Sequence, residues 1–203
     1  MGTIYFDTET TGFNPGQICE LSYILEDSES VTAGNYFFTV NSMQDGAQDV
    51  HGFSIERLQE LSGGKTFRDH YEEINRLFSN NTLVAHNLPF DEKFMSSELW
   101  RCGISFKPSG RLDTMSYFKD VLKIPAKTRR YGPYKNPKLQ EVADYFKVDY
   151  DKAKQYCNKL FGDYNTSFHD SRFDTTIMYI IVNLQREVLN GGTVWHDTFC
   201  KRV

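Results

Sequence analysis

Thr3-Ile4-Tyr5-Phe6-Asp7-Thr8-Glu9 decides the reading of this chain. The β-branched and aromatic run Thr3–Phe6 reads as a buried strand, and residues two apart on a strand share a face, so Asp7 and Glu9 project together off its end. Thr10-Thr11-Gly12-Phe13-Asn14-Pro15-Gly16 follows, a turn-rich stretch whose glycines allow close backbone approach. The same Asp-x-Glu spacing recurs at Asp27-Ser28-Glu29, where polar neighbours indicate a solvated turn; strand-end context separates the two copies.

Thr82-Leu83-Val84-Ala85 is a second buried-strand pattern. It runs through His86-Asn87-Leu88-Pro89-Phe90-Asp91 into a helical stretch from Phe90 to Trp100, with Pro89 suited to the first turn. Asp91 therefore sits where a strand end meets a helix start, the place where open α/β sheets gather ligands. For His86 and Asn87 a purely local role, hydrogen bonding within the strand-to-helix loop, is an alternative to a binding role. From Phe173 to Leu189, Ile177, Ile180, Ile181, Leu184 and Val188 recur at helical spacing, which puts Asp174 in an early turn. Positions five apart lie about 140° apart around a helix, so His169 belongs on the preceding loop, either swinging over a site or simply exposed.

These segments supply four carboxylates and one imidazole. Four acids in a dry core repel one another unless cations neutralise them, so a divalent metal site is the first hypothesis.

The order Asp7-x-Glu9, Asp91, His169-x-x-x-x-Asp174 resembles the DEDDh 3′–5′ exonucleases, and is similar to the proofreading (epsilon-type) exonuclease of bacterial DNA polymerase III. Ile18-Cys19-Glu20-Leu21 looks like that family's second strand and His51-Gly52-Phe53-Ser54 like its His-Gly-Ile-Thr element; Asp113-Thr114 and the helical stretch Leu139–Phe146 fall where the family places them. The resemblance spans residues 3 to 190. It implies a ribonuclease H-like α/β fold, a mixed five-stranded sheet flanked by helices. It also implies that Asp7, Glu9, Asp91 and Asp174 hold two Mg²⁺ or Mn²⁺ ions, that His169 takes the proton of an attacking water, and that nucleoside 5′-monophosphates leave a 3′ end. Thr10, Thr11, Gly12, His51, His86, Asn87 and Phe90 are the implied nucleotide contacts, Phe90 either as a stacking face or as a core residue.

Composition allows one domain over 1–203, with a core of about 3–190 and a short tail at 191–203, since no linker or repeat divides 203 residues with 39% hydrophobic content. Strands are expected near 3–7, 18–26, 34–40, 82–86 and 110–113. Net charge is −4, yet residues 119–138 hold Lys119, Lys123, Lys127, Arg129, Arg130, Lys135 and Lys138 against Asp120, interleaved with Tyr131 and Tyr134. That stretch is read either as a phosphate-contacting loop or as a solvated one. The segment after Phe146, with Asp149, Tyr150, Asp151 and Phe161-Gly162-Asp163-Tyr164, receives no function. Cys19, Cys102, Cys157 and Cys200 lack metal-ligand spacing, no apolar run spans a bilayer, and neither a secretion signal nor a lipidation motif is recognised, so a reducing cytoplasm is expected.

The expected substrate is single-stranded DNA; RNA 3′-end trimming or oligoribonucleotide degradation is the enzymatic alternative, because the sequence does not show how a 2′-OH would be read. A catalytically silent nucleic-acid-binding module is the non-enzymatic one, set against the filling of all five motif positions. A DNA polymerase partner agrees with the resemblance, but the tail, despite Trp195 and Phe199, shows no tethering peptide.

Overall fold

The computed structural model describes residues 2–13, 16–128, 130, 132–162 and 168–201. Asn14, Pro15, Arg129, Tyr131, Asp163 and Tyr164, which the sequence reading used, lie outside them.

Five strands form one sheet: β1 (Thr3–Thr10), β2 (Ile18–Glu26), β3 (Val31–Phe37), β4 (Thr82–Ala85) and β5 (Gly110–Asp113). Their order is β3-β2-β1-β4-β5, with β1, β2 and β3 antiparallel and β1, β4 and β5 parallel. This is the mixed α/β sheet expected from the sequence. Two strands differ: β1, expected near 3–7, runs on to Thr10, so that Glu9 lies within it, and β3 was expected at 34–40 but runs 31–37. The cause for β3 is the turn after β2, where Asp27 Oδ1 accepts from the backbone N–H groups of Glu29 and Ser30 at 2.8 Å each, closing the hairpin so that Glu26 pairs with Val31. Past Phe38 the backbone turns to other partners, Thr39 N–H donating to Lys65 O at 2.7 Å. Asp27-x-Glu29 is thus the solvated turn.

Alternation along β1 divides the molecule. Ile4 and Phe6 pack on one face with Phe78 of α3 (Tyr71–Ser79) and with Phe94, Met95 and Leu99 of α4 (Leu88–Arg101). Tyr5 packs on the other face against Ile177, Ile180 and Ile181 of α8 (Ser171–Asn190), together with Phe118 of α5 (Thr114–Leu122) and Val142 of α6 (Leu139–Tyr145). Each fully buried Ile or Phe contributes about 1.5–3 kcal/mol. Asp7 and Glu9 inherit the face of Tyr5, and Thr8 that of Phe6.

Helix α8 is capped at both ends: Asp170 Oδ1 accepts from Arg172 N–H at 3.1 Å, and Gly191 closes it in the left-handed conformation. The segment after Phe146 forms α7 (Tyr150–Phe161). The stretch read as a tail is in part α9 (Val194–Phe199), whose Trp195 and Phe199 pack on Tyr156 and Tyr179. Two shorter helices, α1 (Asp45–His51) and α2 (Ile55–Ser62), lie between β3 and α3. Among the described residues no helix is long and apolar enough to cross a membrane.

Candidate metal centre and nucleotide pocket

The carboxyl ends of the parallel strands β1, β4 and β5 open at one edge of the sheet, and the first turns of α4 and α8 converge there. Asp7, Glu9 and Asp174 each bring one carboxylate oxygen there, and these oxygens lie within 4.8 Å of one another. Asp91, in the first turn of α4, stands outside that grouping but close enough to be the leading charge acting on Asp7. Its Oδ1 accepts a 2.7 Å hydrogen bond from Thr8 Oγ1, which fixes the carboxyl against β1.

Burial dominates the electrostatics. It pushes Glu9 up to about 10, with Glu20 and Asp174 adding to the effect, and Asp7 well above the carboxylate range, helped by Asp91 and Asp174. Asp91 and Asp174 are each pushed up to about 7 by burial, held back by Thr8 and by the His169 backbone respectively. Oδ1 of Asp174 is buried without a hydrogen-bond partner. Converging carboxylate oxygens with an orphaned lone pair are what a hard divalent cation satisfies, so these residues fit the metal that the motif implies.

One expectation follows for the protein without metal. A carboxyl whose folded pKa is raised keeps a proton that the unfolded chain releases, so stability falls as pH rises from about 4 towards the folded values of 7 to 10. In EDTA, Tm should drop by about 5 °C or more between about pH 5.5 and 8.5. Millimolar Mg²⁺ should remove most of that drop. A flat EDTA profile in calorimetry would count against the buried cluster.

His169 lies on the loop ahead of α8, exposed, with φ of 70°, and its backbone N–H donates to Asp174 Oδ2 at 3.2 Å. A non-glycine residue in the left-handed region costs energy and is held here by that bond.

Beside the carboxylates a cavity of about 260 Å³ is lined by Thr8, Glu9, Thr10, Gly12, Gln44, Val50, His51 and Phe90, among others. Phe13, 77% exposed, stands at the same cavity with its ring 6.3 Å from that of Phe90. Gly12, at φ 141°, packs so closely on Gln44 that a Cβ would lie 2.2 Å from its amide carbon. His51 is seated on Phe53 and accepts from the Phe53 backbone N–H at 3.1 Å; burial lowers its pKa.

Of the implied nucleotide contacts, Thr10, Gly12, His51 and Phe90 therefore meet around one cavity. The others fasten loops. Both ring nitrogens of His86 are within 3.0 Å of chain partners, Thr114 Oγ1 and Pro137 O. Thr11 binds Gln17 through its backbone N–H and its hydroxyl, both at 2.9 Å. Asn87 adopts φ 81°, its N–H donating to Asp113 Oδ1 at 3.0 Å. Thr8, Phe13, Gln44 and Val50 were not singled out from the sequence. An exposed aromatic in a glycine-flanked loop was a signal for Phe13; nothing local marked Gln44 or Val50, which α1 and its N-terminus bring over the cavity.

In the basic stretch, Pro125 and Tyr134 form an isolated bridge, and Lys135 pairs with Glu141. Lys119 lies in the last turn of α5 and Lys123 caps it in the left-handed conformation.

The chain is 36% identical over 102 residues to the DNA polymerase III subunit epsilon of Rickettsia felis, which covers 47% of this chain and 43% of that protein. The corresponding subunit of Buchnera aphidicola is 27% identical over 157 residues, covering 72% of this chain and 62% of that one. The chain thus spans less than half the length of the Rickettsia relative. E. coli exonuclease I, solved with a dT13 oligonucleotide, superposes over 94% of this chain and 43% of its own with a TM-score of 0.66 at 16% identity, a likeness of fold. A family model described as Exonuclease matches residues 4–181, nearly the whole of the sheet, all of α4 and the first half of α8 with Asp174, so the chain belongs to the exonuclease family.

Proposed function

We propose that this chain is a single exonuclease domain that releases nucleoside 5′-monophosphates from the 3′ end of single-stranded DNA. The observation that carries the reading is the meeting of Asp7, Glu9 and Asp174, with the orphaned Asp174 oxygen, beside a cavity that Glu9 itself lines together with Phe13 and Phe90.

Asp7, Glu9, Asp91 and Asp174 would hold two Mg²⁺ or Mn²⁺ ions. When bound, such ions lower the pKa of a water and stabilise the departing 3′ oxygen. The rest falls to the chain. Thr8 keeps the Asp91 carboxyl aimed at the site. His169, on its exposed loop, takes the proton of the attacking water at a ring nitrogen, the role of a general base. Phe13 and Phe90 offer faces to the terminal bases, which any base can meet, and Thr10 and His51 line the sugar and phosphate side of the cavity. The cations at Lys119, Lys123, Lys127 and Lys138 lie on a stretch suited to following the phosphate backbone.

Digestion of matched 5′-labelled DNA and RNA oligonucleotides, with Mg²⁺ and with EDTA, tests the reading. A ladder shortening from the 3′ end on DNA, 5′-monophosphates by mass, and no products in EDTA are expected. Strong preference for RNA would move the substrate to the ribonucleotide alternative, and nucleic-acid binding without products in any metal would leave a silent binding module.

A further inference from the structure

Behind the acids lies a second charged assembly that the motif does not include. The sheet register pairs Glu20 of β2 with Glu9 on one side and Phe37 of β3 on the other, so the three side chains share the face that α8 covers. Arg172, in the first turn of α8 and 7% exposed, lies over this row. Its guanidinium carbon is 5.4 Å from the centre of the Phe37 ring, and its Nε is 3.5 Å from Oε1 of Glu20. The same guanidinium grips Asp170 with two hydrogen bonds, Nε to Oδ1 at 2.9 Å and Nη2 to Oδ2 at 2.6 Å. Asp170 follows His169 directly, caps α8, and accepts the backbone N–H of Asp174 at 3.0 Å.

A planar, permanently charged fork holds one carboxylate, Asp170, at a fixed angle through two hydrogen bonds while standing in ion-pair range of a second, Glu20, whose Oε1 accepts no hydrogen bond. Here one carboxylate belongs to β2, beside Glu9, and the other to the turn that carries His169 and Asp174. We propose that Arg172 is a positioning residue: it locks the start of α8 to β2, so that Asp174 and the His169 loop keep their spacing from Asp7 and Glu9. The inference rests on the metal-dependent reading above and adds a residue to it that touches neither metal nor nucleotide.

The sign of one effect separates this role from a mere charge. A buried cation near a metal site repels divalent ions, so deleting it for charge alone would tighten metal binding. Deleting a lock that sets ligand spacing weakens binding, by about tenfold or more for outer supports of this kind. Calorimetric titration of the full chain with Mn²⁺, without nucleic acid, reads that sign directly. Arg172→Gln is expected to bind Mn²⁺ about tenfold or more weakly, with a comparable fall in kcat and an oligonucleotide KM within about twofold of wild type. Arg172→Lys, which keeps the charge but not the fork, should recover only part of both losses. Mn²⁺ affinity equal to or tighter than wild type in Arg172→Gln would overturn the proposal. If Arg172→Gln fails to fold by circular dichroism, Arg172→Lys decides by the same criterion. Wild-type protein that binds no Mn²⁺ would overturn the metal reading itself; wild-type binding with unchanged variants overturns this inference alone.

Discussion

Asp7→Asn is expected to lower kcat on a 3′-end substrate by about 10³-fold or more while making the metal-free protein more stable. The substitution keeps the shape of the side chain and removes the charge at the position that burial and four neighbouring acids, Asp91, Asp174, Glu9 and Glu20, all disfavour. Without metal, that charge is a liability: the folded chain must hold a proton there that the unfolded chain would release, so its loss should raise Tm by several degrees at about pH 8. With metal, the same oxygen would, on the proposed reading, be a ligand whose loss removes transition-state stabilisation. Opposite signs for stability and activity distinguish a ligand from a core residue, whose removal lowers both. Turnover within tenfold of wild type would remove Asp7 from the chemistry.

His169 carries the second large effect. Replacing it with Ala should cost about 10² to 10⁴ in kcat, the range for a general base. At a φ of 70° a Cβ costs about 1–2 kcal/mol, a cost that wild-type His169 already bears, Ala retains and Gly removes. His169→Gly keeps the backbone relaxed, so the loop and its bond to Asp174 Oδ2 survive while the imidazole is gone. Both variants should lose activity alike, and the Gly variant should keep wild-type Mn²⁺ affinity in calorimetry. An active Gly variant would mean that the loop, not the ring, was needed.

The acids were legible because local rules fix them: alternation places Asp7 with Glu9 at a strand end, Pro89 starts the helix carrying Asp91, and the isoleucine spacing of α8 separates Asp174 from His169. The same patterns placed the five strands, and the family resemblance implied their mixed α/β sheet. What stayed hidden depends on pairing between distant segments. Glu20 looks like an ordinary strand residue until the β1–β2 register sets it against Glu9. Arg172 reads as one more helix cation until α8 docks on that face. His86, Thr11 and Asn87 are suitable polar residues near a strand end in sequence, yet their hydrogen bonds go to Pro137, Thr114, Gln17 and Asp113, partners supplied by loops whose paths no local pattern gives. The start of β3 was misplaced because an Asp side chain, not apolar periodicity, closes its hairpin.

The convergence of Asp7, Glu9, Asp91 and Asp174 on a pair of cations is tested most directly by anomalous diffraction from crystals soaked in Mn²⁺ with a nucleoside 5′-monophosphate. Two manganese peaks ligated by these four carboxylates, with the nucleotide phosphate against them and its base between Phe13 and Phe90, are the expected result. A cluster that remains without anomalous density at saturating Mn²⁺ would contradict it.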